Sequence, residues 1–172
     1  KKFYANNCEL IIKDLPFKLT NDQIKVLNEI NHDLLNNERM FRIIQGDVGS
    51  GKTIVSLLSI FNVIRAGYQC ALMSPTEILA KQHFDLIKNI LDNKFFEIGF
   101  LSGKTENKIK KEVLFNLENG KIKLLIGTHA LFQKKINFRK LGLAVIDEQH
   151  KFGVKQRSDL AKKGGNNCDV LL

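Results

Sequence analysis

The sequence has 172 residues, 44% of them hydrophobic, which is enough to bury one sizeable core and too few for two comfortable ones. Lysine and arginine number 27 against 18 for aspartate and glutamate, and the resulting formal net charge of +9 favours polyanionic partners such as nucleic acid. Because no run of about 18 apolar residues occurs and no signal-peptide pattern opens the chain, we expect neither a membrane protein nor a secreted one.

The three cysteines, Cys8, Cys70 and Cys168, are far apart in the sequence. They form no C-x-x-C pair, and no histidine stands at metal-ligand spacing from them. We interpret them as buried or incidental thiols of a reducing, cytoplasmic compartment. The first residue is not methionine and the last three are apolar, so we expect a piece of a longer protein.

Residues 1–15 show no clear hydrophobic period and are followed by Pro16. Within them, 8–12 is compatible with a short strand or with a linker. We therefore divide the chain into a linker or N-terminal extension over 1–15 and a folded lobe over 16–172.

A helix is predicted to begin after Thr20 and to end near Asn36 and Asn37, because apolar residues recur at helical spacing on one face. Those residues are Ile24, Leu27, Ile30, Leu34 and Leu35. Gln23, in the first turn, has two explanations. It completes a capping box with Thr20, or its amide pairs with an adenine ring, and the residues alone leave both open.

Residues 46–53 match the pattern G-x-x-x-x-G-K-[ST] at every fixed position. Before them, 41–45 is predicted to be a buried strand, and after them 53–66 is predicted to be a helix. A strand, a glycine-rich loop and a helix in this order are the context of a phosphate-binding loop. The residues expected to surround a nucleotide are Gly46, Asp47, Val48, Gly49, Ser50, Gly51, Lys52 and Thr53.

The chemistry expected of this loop follows from its residue types. Its glycines let successive N–H groups converge on the β-phosphate, where the positive end of the helix dipole adds its field. Lys52 would reach the β- and γ-phosphates, and Thr53 would bind Mg²⁺. ATP and Mg²⁺ are therefore the expected ligands.

Strands and helices alternate through the rest of the chain. The predicted strands are 69–74, 95–101, 121–127 and 141–146, and the predicted helices are 76–91 and 105–117. Such alternation indicates an α/β fold, a three-layer sandwich around a mainly parallel sheet joined by right-handed crossovers. Polar residues follow every predicted strand, so we expect one functional face at the carboxyl ends of the strands.

The predicted strand 141–146 ends in two adjacent carboxylates, Asp147 and Glu148. Asp147 would hold Mg²⁺ through its water shell, and Glu148 would orient and deprotonate an attacking water. A solvated strand end or an acidic pair at a helix N-terminus is the alternative, but an intact phosphate loop in the same chain favours the catalytic interpretation. An ATPase that drives motion typically has this second carboxylate.

Six stretches resemble, in the same order, the motifs of superfamily 2 helicases and in particular of their RecG branch. They are 15–23, 46–53, 74–83, 101–103, 127–131 and 147–157. Lys151 stands where the family pattern leads us to expect arginine, a change that keeps the charge. The resemblance implies a RecA-like P-loop fold and the first motor lobe of an ATP-dependent DNA helicase in the bacterial cytosol or nucleoid. Such enzymes remodel branched DNA and stalled replication forks in recombination and repair.

The resemblance also assigns roles to residues that their types alone leave open. It favours adenine recognition by Gln23, with Phe17 as a stacking residue. Gln149 and His150 would couple the state of the γ-phosphate to a second lobe, and they join Lys52, Asp147 and Glu148 in the catalytic set. The residues implied to line the DNA path, mostly at phosphates, are Pro75, Thr76, Gln82, Gly103, Thr128 and His129.

No stretch resembles a second RecA-like lobe with its arginine finger, or a wedge domain that grips a DNA junction. We expect both to belong to the same parent chain, and we expect the 172 residues alone to be nearly inactive. A related transcription-repair or replication-restart translocase is an alternative, although residues 147–154 favour the RecG branch. The alternative outside the enzymes is a P-loop binding module gated by nucleotide, which Glu148 argues against.

Overall fold

The computed structural model describes residues 9–36, 38–47, 49–91, 96–153, 162–165 and 168–172. Within these ranges the strands are β1 Phe41–Arg42, β2 Gln69–Met73, β3 Glu97–Leu101, β4 Ile122–Gly127, β5 Leu141–Ile146 and β6 Asp169–Leu171. The α-helices are α1 Glu9–Asp14, α2 Asn21–Leu35, α3 Lys52–Arg65, α4 Glu77–Leu91 and α5 Asn107–Glu118. Short 3₁₀ helices follow β4 and β5, at His129–Phe132 and Gln149–Lys151.

The described strands form one six-stranded sheet in the order β1-β6-β5-β2-β4-β3, and every neighbouring pair is parallel. Alternate residues of a strand point to opposite faces, so the sheet has two cores. Cys70 and Leu72 of β2 pack with α1 to α4, whereas Ala71 and Met73 pack with α5 and the segments after β4 and β5. This arrangement confirms the predicted three-layer sandwich.

Most of the predicted elements are confirmed with small changes at their ends. Strands β2, β4 and β5 and helices α3, α4 and α5 lie where the hydrophobic pattern places them. Helix α3 is buried on almost its whole circumference from Ile54 to Ile64, which explains its continuous apolar sequence. Phe95, the predicted start of β3, lies outside the described residues, and the strand is described from Glu97.

The prediction of a buried strand over 41–45 is wrong. Only Phe41 and Arg42 form β1, the Phe41 side chain is 62% exposed, and Ile43 is 48% exposed. Among the described strands β1 pairs with β6 alone, so it lies at an edge of the sheet. Beyond Arg42 the backbone turns toward the glycine-rich loop, and one further bond, from the Ile44 N–H to the Leu172 carbonyl at 2.8 Å, continues the pairing.

Strand β6 was not predicted. Its residues Asp169, Val170 and Leu171 are all buried between β1 and β5. One carboxylate oxygen of Asp169 accepts a hydrogen bond from the Met40 N–H at 2.8 Å. A strand of three residues is too short to show a hydrophobic period, so the sequence alone does not distinguish it from any other short apolar segment.

Residues 9–14 form helix α1, so the strand considered for 8–12 is wrong. Ile11 and Leu15 are 1% and 9% exposed and belong to the core beneath α2 to α4. Burial of this apolar pair holds the segment on the lobe although its sequence has no clear period. The division of the chain at residue 15 stays a prediction.

Helix α2 begins and ends as predicted, but its buried face differs. Leu27, Ile30 and Leu34 are buried, whereas Ile24 and Leu35 are 43% and 45% exposed. The buried face includes a polar residue, Asn31, whose side-chain oxygen accepts a hydrogen bond from the Asn62 amide of α3 at 2.7 Å. Pairing with another buried amide is what makes an asparagine acceptable at this position.

Two of the three cysteines lie in the described part of the chain. Cys70 and Cys168 are buried, and their thiols donate weak hydrogen bonds to the carbonyl oxygens of Ile60 and Asp169. Burial raises the pKa of the Cys70 thiol well above its usual range. These two residues are therefore protected thiols, while Cys8 lies outside the described residues. None of the helices in the described ranges combines the length and the apolar character that crossing a bilayer requires.

Two adjacent leucines of α2 test which side of this helix is buried. Leu34 is 1% exposed and Leu35 is 45% exposed. Leu34→Ala should lower the free energy of unfolding by about 2–5 kcal/mol, because it leaves a cavity in the core. Leu35→Ala, the matched control, should change it by no more than about 0.5 kcal/mol. Urea unfolding of the two variants measures this difference, and equal losses would contradict the packing of α2.

Candidate active site

The carboxyl ends of the strands open into a cavity of about 480 Å³. It lies between the segment after β1, the start of α3, the middle of α4 and the segment after β5. Apolar residues from α3, β2 and β5 form its floor. Its ionisable and hydroxyl-bearing lining residues are Asp47, Lys52, Thr53, Ser56, His83, Asp147, Glu148 and His150.

The glycine-rich loop has the backbone conformation that its sequence predicts. Gly49 and Gly51 have φ angles of 84° and 85°, in the left-handed region that side chains disfavour. A Cβ at Gly51 would also collide with the side-chain nitrogen of Gln23. Gly51 is the N-cap of α3, and Lys52 and Thr53 of the first turn line the cavity, so the N-terminus of this helix lies at the cavity. Val48 lies outside the described residues.

Lys52, at the start of α3, points back over the loop. Its Nζ donates hydrogen bonds to the carbonyl oxygens of Gly46 and Asp47, at 2.6 and 2.9 Å. Both acceptors are neutral, so these bonds leave the positive charge of the ammonium unneutralised. An anionic ligand entering the loop would therefore find a cation and a helix N-terminus on the same side of the cavity.

Asp147 directly follows β5, and its backbone N–H still donates to the Met73 carbonyl at 2.9 Å. One carboxylate oxygen, Oδ2, lies 2.8 Å from Nε2 of His83 on α4. The other, Oδ1, accepts the Glu148 backbone N–H at 3.0 Å. The hydrogen bond to His83 lowers the pKa of Asp147 against the opposing effect of burial, with further lowering by the His83 charge, the Glu148 N–H and Lys52. Asp147 is therefore an ionised carboxylate at neutral pH.

Glu148 has φ 51° and ψ 49°, and among the described residues it alone combines a side chain with a positive φ. Such a conformation costs roughly 1–2 kcal/mol and is concentrated at functional sites. It turns the chain from β5 into the 3₁₀ helix, which brings Gln149 and His150 to the cavity wall. Oε2 of Glu148 lies 3.4 Å from Nε2 of His150.

The donor set of this cavity fits a cation that arrives with phosphate groups. No group of three or more His, Cys, Asp or Glu side chains in the described ranges could hold a metal ion by itself. Asp147 and the hydroxyl-bearing Thr53 nevertheless line the same cavity. Mg²⁺ suits this arrangement because it keeps several waters and takes one or two carboxylates together with substrate phosphates.

Gln23 closes the capping box that its spacing with Thr20 predicts. Its Oε1 accepts the Thr20 N–H at 2.9 Å, and its own N–H donates to the Thr20 hydroxyl at 3.2 Å. Its Nε2 donates to the carbonyl of Ser50 in the glycine-rich loop at 3.0 Å. The capping prediction is confirmed, and the adenine contact stays a prediction. Phe17 is 49% exposed and is not among the residues that line the cavity.

The structure brings together the strand ends for which DNA contacts are predicted. Gly127 is in register with both Met73 and Leu101, so the segments after β2, β3 and β4 are neighbours. The residues at these ends include Pro75, Thr76, Gly103 and His129, and Gln82 follows on α4. Thr76, Gln82, Gly103 and His129 are exposed, whereas Pro75 is partly buried.

Thr128 differs from this group because only 3% of it is exposed, so it does not present a side chain at the surface. Its hydroxyl and that of the buried Ser74 have no hydrogen-bond partner in the described part of the chain. Buried hydroxyls usually have one. These two lie at the ends of the adjacent strands β4 and β2, where the Ser74 N–H donates to the Gly127 carbonyl at 3.0 Å.

His83 is the residue of the cavity that sequence reasoning missed. It belongs to a stretch that resembles a helicase motif, but nothing in its spacing links it to Asp147, 64 positions away. Only the packing of α4 against the sheet shows the contact. Lys52, Thr53, Asp147, Glu148, Gln149 and His150 all line the cavity as expected of neighbours in one site.

Comparison with known proteins identifies the family to which the chain is similar. The sequence profile of the family described as DEAD/DEAH box helicase matches residues 20–169. The ATP-dependent DNA helicase RecG of Bacillus subtilis (strain 168) is 48% identical over 172 residues, which is 100% of this chain and 25% of that protein. The protein of the same name from Borreliella burgdorferi is 46% identical over 164 residues, or 95% of this chain and 24% of that protein. The chain thus spans about a quarter of the length of these curated relatives.

Two solved structures show the same architecture. The structure of RecG bound to a three-way DNA junction matches with a TM-score of 0.88 and 41% identity, over 99% of this chain and 23% of that chain. The DEAD-box helicase Mss116 bound to single-stranded RNA matches with a TM-score of 0.74 and 22% identity, over 94% of this chain and 36% of that chain, which shows the fold alone. Since the matching profile includes the glycine-rich loop, both carboxylates and the sheet between them, the chain belongs to the DEAD/DEAH box helicase family.

Proposed function

We propose that the chain is the first motor lobe of an ATP-dependent DNA helicase or translocase of the RecG type, acting on branched DNA and stalled replication forks. The observation that carries the proposal is the convergence of Lys52, Asp147 and Glu148 on one cavity at the carboxyl ends of the strands. An ammonium, a metal-binding carboxylate and a second carboxylate are the groups that ATP hydrolysis requires of one lobe. The location that goes with this function is the bacterial cytosol or nucleoid.

Each group has a distinct task in this proposal. The loop N–H groups and Lys52 bind the β- and γ-phosphates, while Thr53 and Asp147 hold Mg²⁺. The cation, when bound with ATP, offsets the negative charge of the phosphates. Glu148 takes a proton from the attacking water once its side chain has moved away from His150, and Gln149 and His150 face the partner lobe. Gln23 recognises adenine, and Phe17 stacks on its ring.

A longer protein completes the site and supplies the specificity for branched DNA. The curated relatives are about four times as long as the matched region, and one solved RecG structure holds a three-way DNA junction. We propose that a second RecA-like lobe contributes an arginine finger and that a wedge domain grips the junction. The RecG name of both relatives favours this branch over a transcription-repair or replication-restart translocase. The two carboxylates beside Lys52 disfavour a binding module that hydrolyses nothing.

The 172-residue chain alone should bind adenine nucleotide weakly and hydrolyse it very slowly. An arginine finger contributes about 10³–10⁵ in rate where it has been measured, and we assign it to the second lobe. Fluorescent nucleotide binding and a phosphate-release assay, with and without duplex DNA, measure both quantities. Robust DNA-stimulated hydrolysis by the isolated chain would contradict this division of labour.

In the longer protein, Lys52→Ala and Glu148→Gln should have different effects. Lys52→Ala removes a cation from the phosphates and should weaken ATP binding. Glu148→Gln keeps the size of the side chain but removes the base, so ATP should still bind while kcat falls on the order of 10²–10⁴-fold. His32→Ala on the exposed side of α2 is the control and should leave both unchanged. Hydrolysis by the Glu148→Gln variant at the normal rate would refute the assignment.

DNA binding by this lobe should be insensitive to base sequence and steeply dependent on salt, because the strand ends offer N–H groups and hydroxyls that suit phosphates. If four phosphates are contacted, log K should fall with log salt at a slope of about −3.6 on duplex DNA. The pair Gln82→Ala and His129→Ala, at two exposed side chains of this face, should reduce the affinity, although it leaves the formal charge of +9 unchanged.

A change of Lys121 to Ala separates this face from a general basic surface. Lys121 is exposed and directly precedes β4, so the change removes a charge at the opposite edge of the sheet, and we expect a smaller loss of affinity than the Gln82 and His129 pair causes. Fluorescence anisotropy at several salt concentrations measures all three proteins. If the folded double variant keeps the original affinity, the DNA face has been placed wrongly.

A further inference from the structure

Helix α4 reaches the candidate metal-binding carboxylate through a single side chain. Nε2 of His83 lies 2.8 Å from Oδ2 of Asp147, and the His83 side chain is only 13% exposed. The contact joins the middle of a helix to the end of β5. Of the two hydrogen bonds described for the Asp147 carboxylate, it is the one that comes from outside the loop and strand of Asp147.

The Asp147 carboxylate is held from two sides. Oδ2 pairs with His83, and Oδ1 accepts the backbone N–H of Glu148 at 3.0 Å. Each carboxylate oxygen offers about two lone pairs, so one remains on each oxygen for a cation or its water shell. The two hydrogen bonds therefore fix the plane of the carboxylate without occupying it fully. Hydrogen-bonded partners of this kind orient metal ligands in proteins, and their loss typically lowers metal affinity or activity.

The same helix begins at the strand ends assigned to DNA. Glu77, the first residue of α4, follows Pro75 and Thr76, and the Thr76 hydroxyl accepts the Leu79 N–H at 3.3 Å. His83 is seven positions beyond Thr76, roughly 10 Å along the axis at 1.5 Å per residue. Ala80 and Ile87, on either side of His83, are 0% and 1% exposed, so the helix is packed against the core on both sides of His83.

We propose that His83 is a positioning residue that holds Asp147 in the orientation that receives the cation, and that it thereby links DNA contact at the start of α4 to cation binding. The inference rests on the proposed function, which assigns Asp147 to the cation and Pro75, Thr76 and Gln82 to DNA. A shift of α4 on DNA contact moves the imidazole, and the imidazole moves the carboxylate. The coupling is reciprocal, so cation binding also affects DNA affinity.

A histidine buried only for packing would behave differently. His83→Leu fills a similar volume but offers no hydrogen-bond donor. His83→Gln offers an amide nitrogen at a reach similar to that of Nε2 and can still bond to Oδ2. A positioning role therefore predicts that Mg²⁺-dependent nucleotide binding is weakened in His83→Leu and recovered in His83→Gln. A packing role alone predicts no such difference between the two variants. His32→Leu, at a side chain that is 77% exposed, is the matched histidine control.

The experiment measures the Mg²⁺ concentration that half-saturates binding of a fluorescent, non-hydrolysable ATP analogue to the longer protein. His83→Leu should raise this concentration about 10–100-fold, as loss of a partner of a metal ligand does. Binding of the analogue in the presence of a chelator should stay unchanged, because it does not involve the cation, and the melting temperature of each variant shows that it is folded. His83→Gln should recover most of the loss, and His32→Leu should match the unsubstituted protein.

A second arm repeats the titration with saturating duplex DNA. In the unsubstituted protein DNA should lower the half-saturating Mg²⁺ concentration. The DNA-induced ratio, which is this concentration without DNA divided by the concentration with DNA, should approach 1 in His83→Leu. A normal Mg²⁺ requirement in His83→Leu would overturn the positioning role. Equal losses in the leucine and glutamine variants would overturn it in favour of packing. A shifted requirement with an intact DNA-induced ratio would overturn the link through α4.

Asp147→Asn separates this inference from the function on which it rests. If Asp147→Asn raises the Mg²⁺ requirement while His83→Leu does not, the proposed function survives and the inference fails. If neither change affects the Mg²⁺ requirement, the assignment of Asp147 to the cation is itself wrong, and both proposals fall.

Discussion

The parallel pairing of every described strand is the constraint on which the candidate site depends. In a parallel sheet all carboxyl ends lie at one edge, so residues far apart in sequence are brought together without any contact of their own. Asp147 follows β5, the glycine-rich loop follows β1, and Ser74 follows β2, yet all three lie along the same edge. The apolar strands supply rigidity, and the polar residues after them supply the chemistry.

At this edge the chain accepts conformations and contacts that a stable core alone would not select. Glu148 adopts a left-handed conformation, Lys52 is paired only with backbone carbonyls, and two buried hydroxyls lack partners in the described ranges. The first two features leave the carboxylate of Glu148 and the cation of Lys52 available for a ligand in the cavity. The cost is tolerable because two continuous hydrophobic cores, one on each face of the sheet, stabilise the framework.

Much of this architecture could be predicted from the sequence, since long strands and helices carry clear periods and the glycine-rich loop has a fixed pattern. The failures have physical causes. Strand β6 is too short for a period, β1 is shortened by the turn into the loop, and Ile24 lies on the apolar side of α2 but outside its packed face. The contact of His83 with Asp147 depends on how α4 lies on the sheet, which no local pattern encodes.

The central claim is that Lys52, Thr53 and Asp147 together hold nucleotide phosphates and their cation. A crystal structure of the chain with a non-hydrolysable ATP analogue and Mn²⁺, located by its anomalous scattering, tests this claim most directly. We predict that Nζ of Lys52 leaves the Gly46 and Asp47 carbonyls for the phosphates, and that the metal peak lies beside Thr53 and Asp147. A Lys52 side chain still bound to these carbonyls, or a metal peak away from Asp147, would contradict the account.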